Sequence, residues 1–280
     1  MPELPEAETI ARGLDAAVAG GRVARVRIHR AEVVEPLSAA VFRRAFTGRR
    51  IARIGRRGKW IVGLLDDSQR WVTQLRMTGR FTWRAAGPRQ PLRAEPHLSV
   101  SLLIEPDGGE PGVLRFYDTR RFGRMRLLAP AVYAELDARL GVEPLSDAFT
   151  PARFARMLEG GRAPIRNWLL DQGRVAGVGN IYAVEACHIA RLDPRRAAGD
   201  LDRNDVRRLH RAVRRVLSDA IARRGTTFSD YRDLLGGSGD FQNALRVYGR
   251  EGEACPRGDG TIERAVLAGR SAFYCPACQR

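Results

Sequence analysis

The sequence predicts a multi-domain α+β protein: an N-terminal helix joined to a β-sandwich, a helical domain, and a small β-hairpin module at the C-terminus. Three observations carry this. Apolar residues recur at helical spacing near the start, alternate in short runs to about residue 130, and return to helical spacing as far as about residue 235. The C-terminal stretch goes back to short strand-like runs and holds three of the four cysteines. A length of 280 residues suits two domains and a third, smaller module. The boundaries expected are 1-130, 131-235 and 236-280.

The first helix is "LPEAETIARGLDAAV": Pro5 suits the first helical position, Glu6 and Glu8 the first turn, and Ala7, Ile10, Leu14 and Val18 form one stripe. From Arg22 to about Pro130, "RVARVRIHR", "KWIVGLL", "RWVTQLRM", "HLSVSLLI" and "VLRFYDT" are strand-like and are separated by Gly, Pro and Asp turns. Thr150-Pro151 marks a helix start, and "APIRNWLLDQG", "NIYAVEACHIARL" and "DRNDVRRLHRAVRRVLSDAIARRG" read as helices, the last capped by Asp202 or Asn204. "LLGGSGDFQ" reads as a flexible linker.

The formal charge is +16, and the basic residues run through the whole chain. A polyanion partner follows, with nucleic acid the default. No apolar run approaches the ~20 residues of a membrane helix, and no basic helix carries the bulky apolar side that lies on lipid. The start "MPELPEAETI" lacks a basic region leading into an apolar stretch, so a cytosolic protein of bacterial type is expected.

Five stretches carry chemistry. Removal of Met1 ahead of the small Pro2 would leave a secondary amine, nucleophilic toward an aldehyde-like sugar carbon, with Glu3 beside it to move a proton. The alternative is that Pro2 and Pro5 only lead into a helix. Of the 48 Lys and Arg residues, Lys59 in "GRRGKWIV" is the one lysine. An ammonium can give up a proton where a guanidinium stays charged, although drift in an arginine-rich chain would also leave a stray lysine. Met77 in "TQLRMTGRF", with Arg120 and Phe122 in "YDTRRFGR", could wedge into a duplex from hairpin tips, or could be ordinary core and solvated residues. Asn180 in "GVGNIY" could meet a phosphate at a helix start, or the glycines could serve packing alone. Cys275 and Cys278 form a Cys-x-x-Cys with Cys255 upstream, and Gly258 stands where the fourth cysteine of a zinc ribbon would be.

Together "MPELPEAET", "RRGKW", "LRMTGRF", "DTRRFG", "LLDQGRVAGVGNIYAVEA", "FQNALRVYGREG" and "AGRSAFYCPACQ" span nearly the whole chain in order. This set resembles the Fpg/Nei family of DNA glycosylases, on the formamidopyrimidine branch. The resemblance implies a bifunctional glycosylase and AP lyase of base excision repair that removes 8-oxoguanine and ring-opened purines. It implies that Pro2 attacks C1′ with Glu3 as acid/base partner, that Lys59 serves the lyase steps and that Glu6 orders the site. Met77, Arg120 and Phe122 would fill the helix, Arg120 facing the orphaned cytosine. Asn180 and Arg270 would contact phosphates, Arg270 also serving the final elimination, and His97 and Arg162 would add DNA contacts. The helical region would be a helix-two-turns-helix module.

The hairpin would be a zinc finger held by Cys255, Cys275 and Cys278, with water or Asp259 as fourth ligand, unless it folds without metal. The expected partner is double-stranded DNA with oxidised bases or abasic sites, met by a monomer in the bacterial cytoplasm at the nucleoid. The rival readings are an endonuclease VIII-like glycosylase for oxidised pyrimidines, a non-catalytic lesion-binding protein, and a ribosomal-type zinc ribbon. The segment "TTFSDYRDLLGGSGDFQ" favours the purine branch as a lesion-capping loop.

Overall fold

Glu3 starts the first element. It is the N-cap of α1 (Leu4–Val18), where a capping box pairs its side chain with the Glu6 backbone and the Glu6 side chain with its own N–H. Leu4, Ala7, Ile10, Ala11, Leu14 and Val18 are buried on one face, which is the stripe expected from the spacing. In the computed structural model, residues 2–86, 94–227, 233–234, 236–258 and 260–280 are described. They divide into two units, Met1–Ala138 with Arg224–Asp240, and Arg139–Arg223 with Phe241–Arg280.

The first unit continues with β1 (Arg22–Ile28), α2 (Ala39–Phe46), β2 (Ile51–Arg57), β3 (Trp60–Leu65), β4 (Arg70–Gln74), β5 (Arg80–Ala85), β6 (Leu98–Glu105), β7 (Gly112–Tyr117), β8 (Arg124–Leu128) and α3 (Pro130–Ala138). Its strands form two antiparallel four-stranded sheets, ordered β1-β6-β7-β5 and β2-β3-β4-β8. One core takes side chains from both sheets and from α1 and α2, with Phe42, Phe46, Trp71, Phe81 and Phe116 as successive ring contacts.

Helix α2 departs from the strand pattern expected throughout this region. Ser38 caps it by accepting from the Val41 N–H, and Phe42 and Phe46, four residues apart, are fully buried. The glycine-rich stretch is also more than a linker where it is described. Leu234 lies in the first unit's core, and the Gly237 N–H donates to Asp233 Oδ1 at 2.7 Å to close a turn. The rest of the expected lesion-capping loop, at 228–232 and 235, lies outside the described residues.

The second unit holds α4 (Pro151–Leu158), α5 (Ile165–Leu170), α6 (Asn180–Ala190), α7 (Arg203–Ala222) and the antiparallel hairpin β9 (Glu263–Leu267) and β10 (Arg270–Tyr274). Thr150 caps α4, and Asp202 caps α7 in a capping box with Asp205. Among the described residues no helix is long and apolar enough to cross a membrane.

Candidate functional site

Glu3 and Glu6 are both buried, so their carboxylates need partners inside the protein. Glu6 Oε2 accepts from the Glu3 N–H at 2.8 Å, and Oε1 accepts from the Thr226 N–H at 2.7 Å. One side chain thus fixes the chain start and a segment from far along the sequence. Gly225 makes this possible, because its φ is +80° and a Cβ there would stand 2.7 Å from Glu6 Oε1. Pro2 precedes this clamp and is partly exposed.

Strand β2 runs antiparallel to α1. The Ile54 N–H donates to Asp15 Oδ1 at 2.6 Å, and Arg56 Nε donates to Glu8 Oε2 at 2.8 Å. Moving two residues up the strand, roughly 7 Å, therefore moves back along the helix by roughly 10 Å. Continuing brings the Gly58-Lys59 turn to the end where α1 begins. Gly58 takes φ +56° in this two-residue turn, while Arg57 and Trp60 pair across it. Pro2, Glu3, Glu6 and Lys59 share one end of the unit, with Lys59 half-buried. Burial raises the pKa of Glu8 nearby, but bonding to Arg56 and Arg12 outweighs this and holds its carboxyl below the usual range.

Met77 and Phe122 are 40% and 51% exposed, so neither is a core residue. Their turns are tied together by Asp118, which is 1% exposed. Asp118 accepts from the Thr78 hydroxyl at 2.5 Å, the Gly123 N–H at 2.6 Å and the Arg120 N–H at 3.3 Å. Its own N–H donates to the His97 carbonyl at 2.9 Å. Met77, His97, Arg120 and Phe122 are thereby gathered, with the exposed Arg120 guanidinium 5.0 Å from the Phe122 ring centroid.

In the second unit Asn180 opens α6, and its Nδ2 donates to the Ser271 carbonyl at 3.0 Å. The β9–β10 turn, Ala268-Gly269, has positive φ at both positions and presents the exposed Arg270. Beneath it lies Arg166, 1% exposed, which donates to the carbonyls of Leu267 at 3.1 Å and Ser271 at 3.0 Å and to Asn167 Oδ1 at 2.7 Å. Burial, then the charge of Arg270, pushes the Arg166 pKa down. Gln172 holds the loop before α6, donating to the carbonyls of Leu170 and Val178 and accepting from the Gly177 N–H. Arg162 is exposed in the α4–α5 connection.

Cys255 and Cys278 converge with His188, and the Cys275 thiol hydrogen-bonds with both cysteines from outside that group. Cys255 and Cys278 sulfurs are 3.9 Å apart, and His188 Nε2 is 3.4 Å from Cys255 Sγ. Burial raises the Cys275 thiol, but backbone N–H groups of Cys278 and Ala277 and the two neighbouring thiols outweigh it and hold it below the ordinary value. Gln279 braces this knuckle, accepting from the Cys275 N–H at 2.8 Å and donating to the Leu192 carbonyl at 2.7 Å. Clustered sulfur and imidazole donors are the set that tetrahedral zinc takes, so the residues fit that metal. Asp259 lies outside the described residues. The remaining cysteine, Cys187, is a fully buried core residue whose thiol burial pushes up to about 12.

Thr226, Asp118, Arg166, Gln172 and His188 were not singled out from sequence. Two left a trace: Arg166 is the one cation within "APIRNWLLDQG", and Asp118 is an acid opening a turn-rich run.

Residues 1–125 match the formamidopyrimidine-DNA glycosylase N-terminal domain, 140–232 the formamidopyrimidine-DNA glycosylase H2TH domain, and 252–280 a zinc finger found in FPG and IleRS. A formamidopyrimidine-DNA glycosylase of Roseiflexus sp. (strain RS-1) is 42% identical over 281 residues, covering all of both chains. The chain belongs to the formamidopyrimidine-DNA glycosylase family. Solved structures of that family are similar throughout. The MutM (Fpg) protein from Thermus thermophilus has a TM-score of 0.85 at 40% identity, covering 99% of this chain and 98% of that one. Lactococcus lactis Fpg, in a complex with DNA containing an abasic site, has a TM-score of 0.87 at 30% identity, covering 99% of each. The family's α+β architecture, an N-terminal domain with an H2TH domain and a finger, is the one expected from sequence.

Proposed function

We propose that this glycosylase of base excision repair removes oxidised purines from double-stranded DNA and then cuts the strand, with Pro2 as nucleophile. Met1 is removed in the active form. The Pro2 amine attacks C1′ of the damaged nucleotide, the bond to the base breaks, and the base leaves with a proton as the sugar ring opens to an iminium. Loss of a C2′ proton expels the 3′ phosphate, a second elimination expels the 5′ phosphate, and water frees the amine. Glu3 moves the proton at the opening ring, and Glu6 keeps Glu3 in place. Lys59 serves the eliminations, where an ammonium can yield a proton and a guanidinium cannot.

What supports this most is the Glu3–Glu6–Thr226 clamp, which orders Pro2 at the end of the unit that also carries the sole lysine. Met77 and Phe122 fill the space of an extruded nucleotide while Arg120 faces the orphaned cytosine. His97 and Arg162 add backbone contacts. Asn180 and Arg270 hold phosphates beside the lesion, Arg270 also aiding the last elimination. The unit Met1–Ala138 with Arg224–Asp240 would carry the chemistry and the lesion loop, and the unit Arg139–Arg223 with Phe241–Arg280 the helical DNA-binding module and the finger, in place of the boundaries 1-130, 131-235 and 236-280. Zinc held by Cys255, Cys275 and Cys278 would supply structure to the finger and no step of the reaction. The protein acts as a monomer in the bacterial cytoplasm, at the nucleoid.

Borohydride added during reaction with an 8-oxoguanine duplex should trap a covalent complex whose mass spectrum places the adduct on Pro2. An adduct on Lys59, or excision with no trapped species, would refute the proline assignment. Faster turnover on an oxidised pyrimidine would favour the endonuclease VIII-like reading.

A further inference from the structure

We infer that His188 is the fourth metal ligand of the finger, reaching from α6 to complete a centre of three cysteines and one histidine. This deepens the zinc reading and replaces the thiolate that Gly258 lacks. A tetrahedral zinc with bonds of about 2.3 Å to sulfur and about 2.0 Å to imidazole nitrogen separates two sulfurs by about 3.8 Å and a sulfur from the nitrogen by about 3.5 Å. The Cys255–Cys278 separation of 3.9 Å and the His188 Nε2–Cys255 separation of 3.4 Å lie within a few tenths of an ångström of those values. The ligand atoms of His188, Cys255 and Cys278 fall within 4.8 Å of one another, and the Cys275 thiol, which stands outside that group, hydrogen-bonds with the Cys255 and Cys278 thiols.

The setting of the ring points the same way. His188 has no exposed surface, and its Nε2 faces the Cys255 sulfur. A buried imidazole held only by thiols is costly unless a stronger bond forms at Nε2. The knuckle is anchored to this helix end, since Arg257 donates to the carbonyls of His188 and Ile189 at 3.3 and 3.1 Å. Gly258 cannot easily serve instead. Its φ is +78°, which disfavours any side chain, and a Cβ there would meet nothing within 4 Å.

A metal bridging His188 to the knuckle would therefore fasten the last turn of α6, the helix that Asn180 opens, to the hairpin that carries Arg270. The position of the phosphate-binding residues would then depend on metal.

The test uses the reduced full-length protein. Zinc-edge X-ray absorption of the wild type should show three sulfurs and one imidazole. Zinc affinity, read by competition with a chromogenic chelator, should fall at least about ten-fold in His188→Phe, because losing even an outer-shell partner costs about that much. The cobalt(II) absorption bands should shift in that variant, while Asp259→Asn leaves affinity and bands unchanged. Three sulfurs and one oxygen with no imidazole scattering would overturn the assignment to His188 and leave zinc itself standing, as would loss of zinc in Asp259→Asn alone. A wild type that takes up no zinc would overturn the zinc reading along with it. The absorption spectrum of the wild type decides even if His188→Phe does not fold.

Discussion

Arg120 and Arg270 are both exposed arginines at turns, but they stand on opposite kinds of foundation. Beneath Arg120 is a buried carboxylate, Asp118, which gathers N–H and O–H donors. Beneath Arg270 is a buried guanidinium, Arg166, which gathers carbonyl oxygens. Each anchor satisfies the backbone of its turn, so either sign of charge would serve for rigidity. The electrostatic result differs. Asp118 offsets the charge of Arg120, leaving a tip suited to a base edge and to stacking on Phe122, whereas Arg166 adds to Arg270 and makes a place for a phosphate.

The largest expected effect is on the cationic anchor. Arg166→Leu removes a charged donor from the carbonyls of Leu267 and Ser271 and leaves Asn167 Oδ1 unpaired with it, so the second unit should lose roughly 2–5 kcal/mol in denaturant unfolding. Arg166→Lys, which keeps the charge but gathers its donors on one nitrogen and so loses the fork that spans both carbonyls, should recover part of it; equal stability in all three proteins would show that the clamp is idle. Asp118→Ala should cost less, about 1–3 kcal/mol, chiefly through the buried Gly123 N–H left unpaired. Asp118→Asn should fall between, since its amide sets N–H groups against donors.

Salt titration of binding to an abasic-analogue duplex separates the two tips directly. Arg270→Ala should lower the slope of log K against log salt by about 0.9, one phosphate contact, and Arg120→Ala should lower it by clearly less. Equal slopes would erase the distinction. The smallest effect concerns Glu8, away from both tips. Its pKa is held below the ordinary 4.5, so its pairing stabilises the fold above that pH and is lost as pH falls through the lowered value. Glu8→Gln should therefore cost about 1 kcal/mol or less at neutral pH, with the difference fading below roughly pH 4.5.

Much of the fold was legible because it rests on local repetition. The stripe of α1, the caps Thr150 and Asp202 and the alternating strands each follow from spacing within a few residues. Helix α2 was not read, because its two buried phenylalanines flank a pair of arginines in a short segment between strands. Of the candidate site, Pro2, Glu3, Lys59 and the cysteines stood out as residue types whose chemistry is unusual wherever they lie.

By itself, then, the sequence determined the order of elements, the basic character, the family and the residues with distinctive reactivity, since each is a property of neighbours along the chain. Only the tertiary structure decided what holds those residues still. Thr226 meets Glu6 across 220 positions, Arg166 meets the finger turn across more than 100, and His188 meets Cys255 across 67. A buried donor, acceptor or ligand has no period in the sequence: its partner is whichever group the packed chain brings within about 3 Å and shields from water.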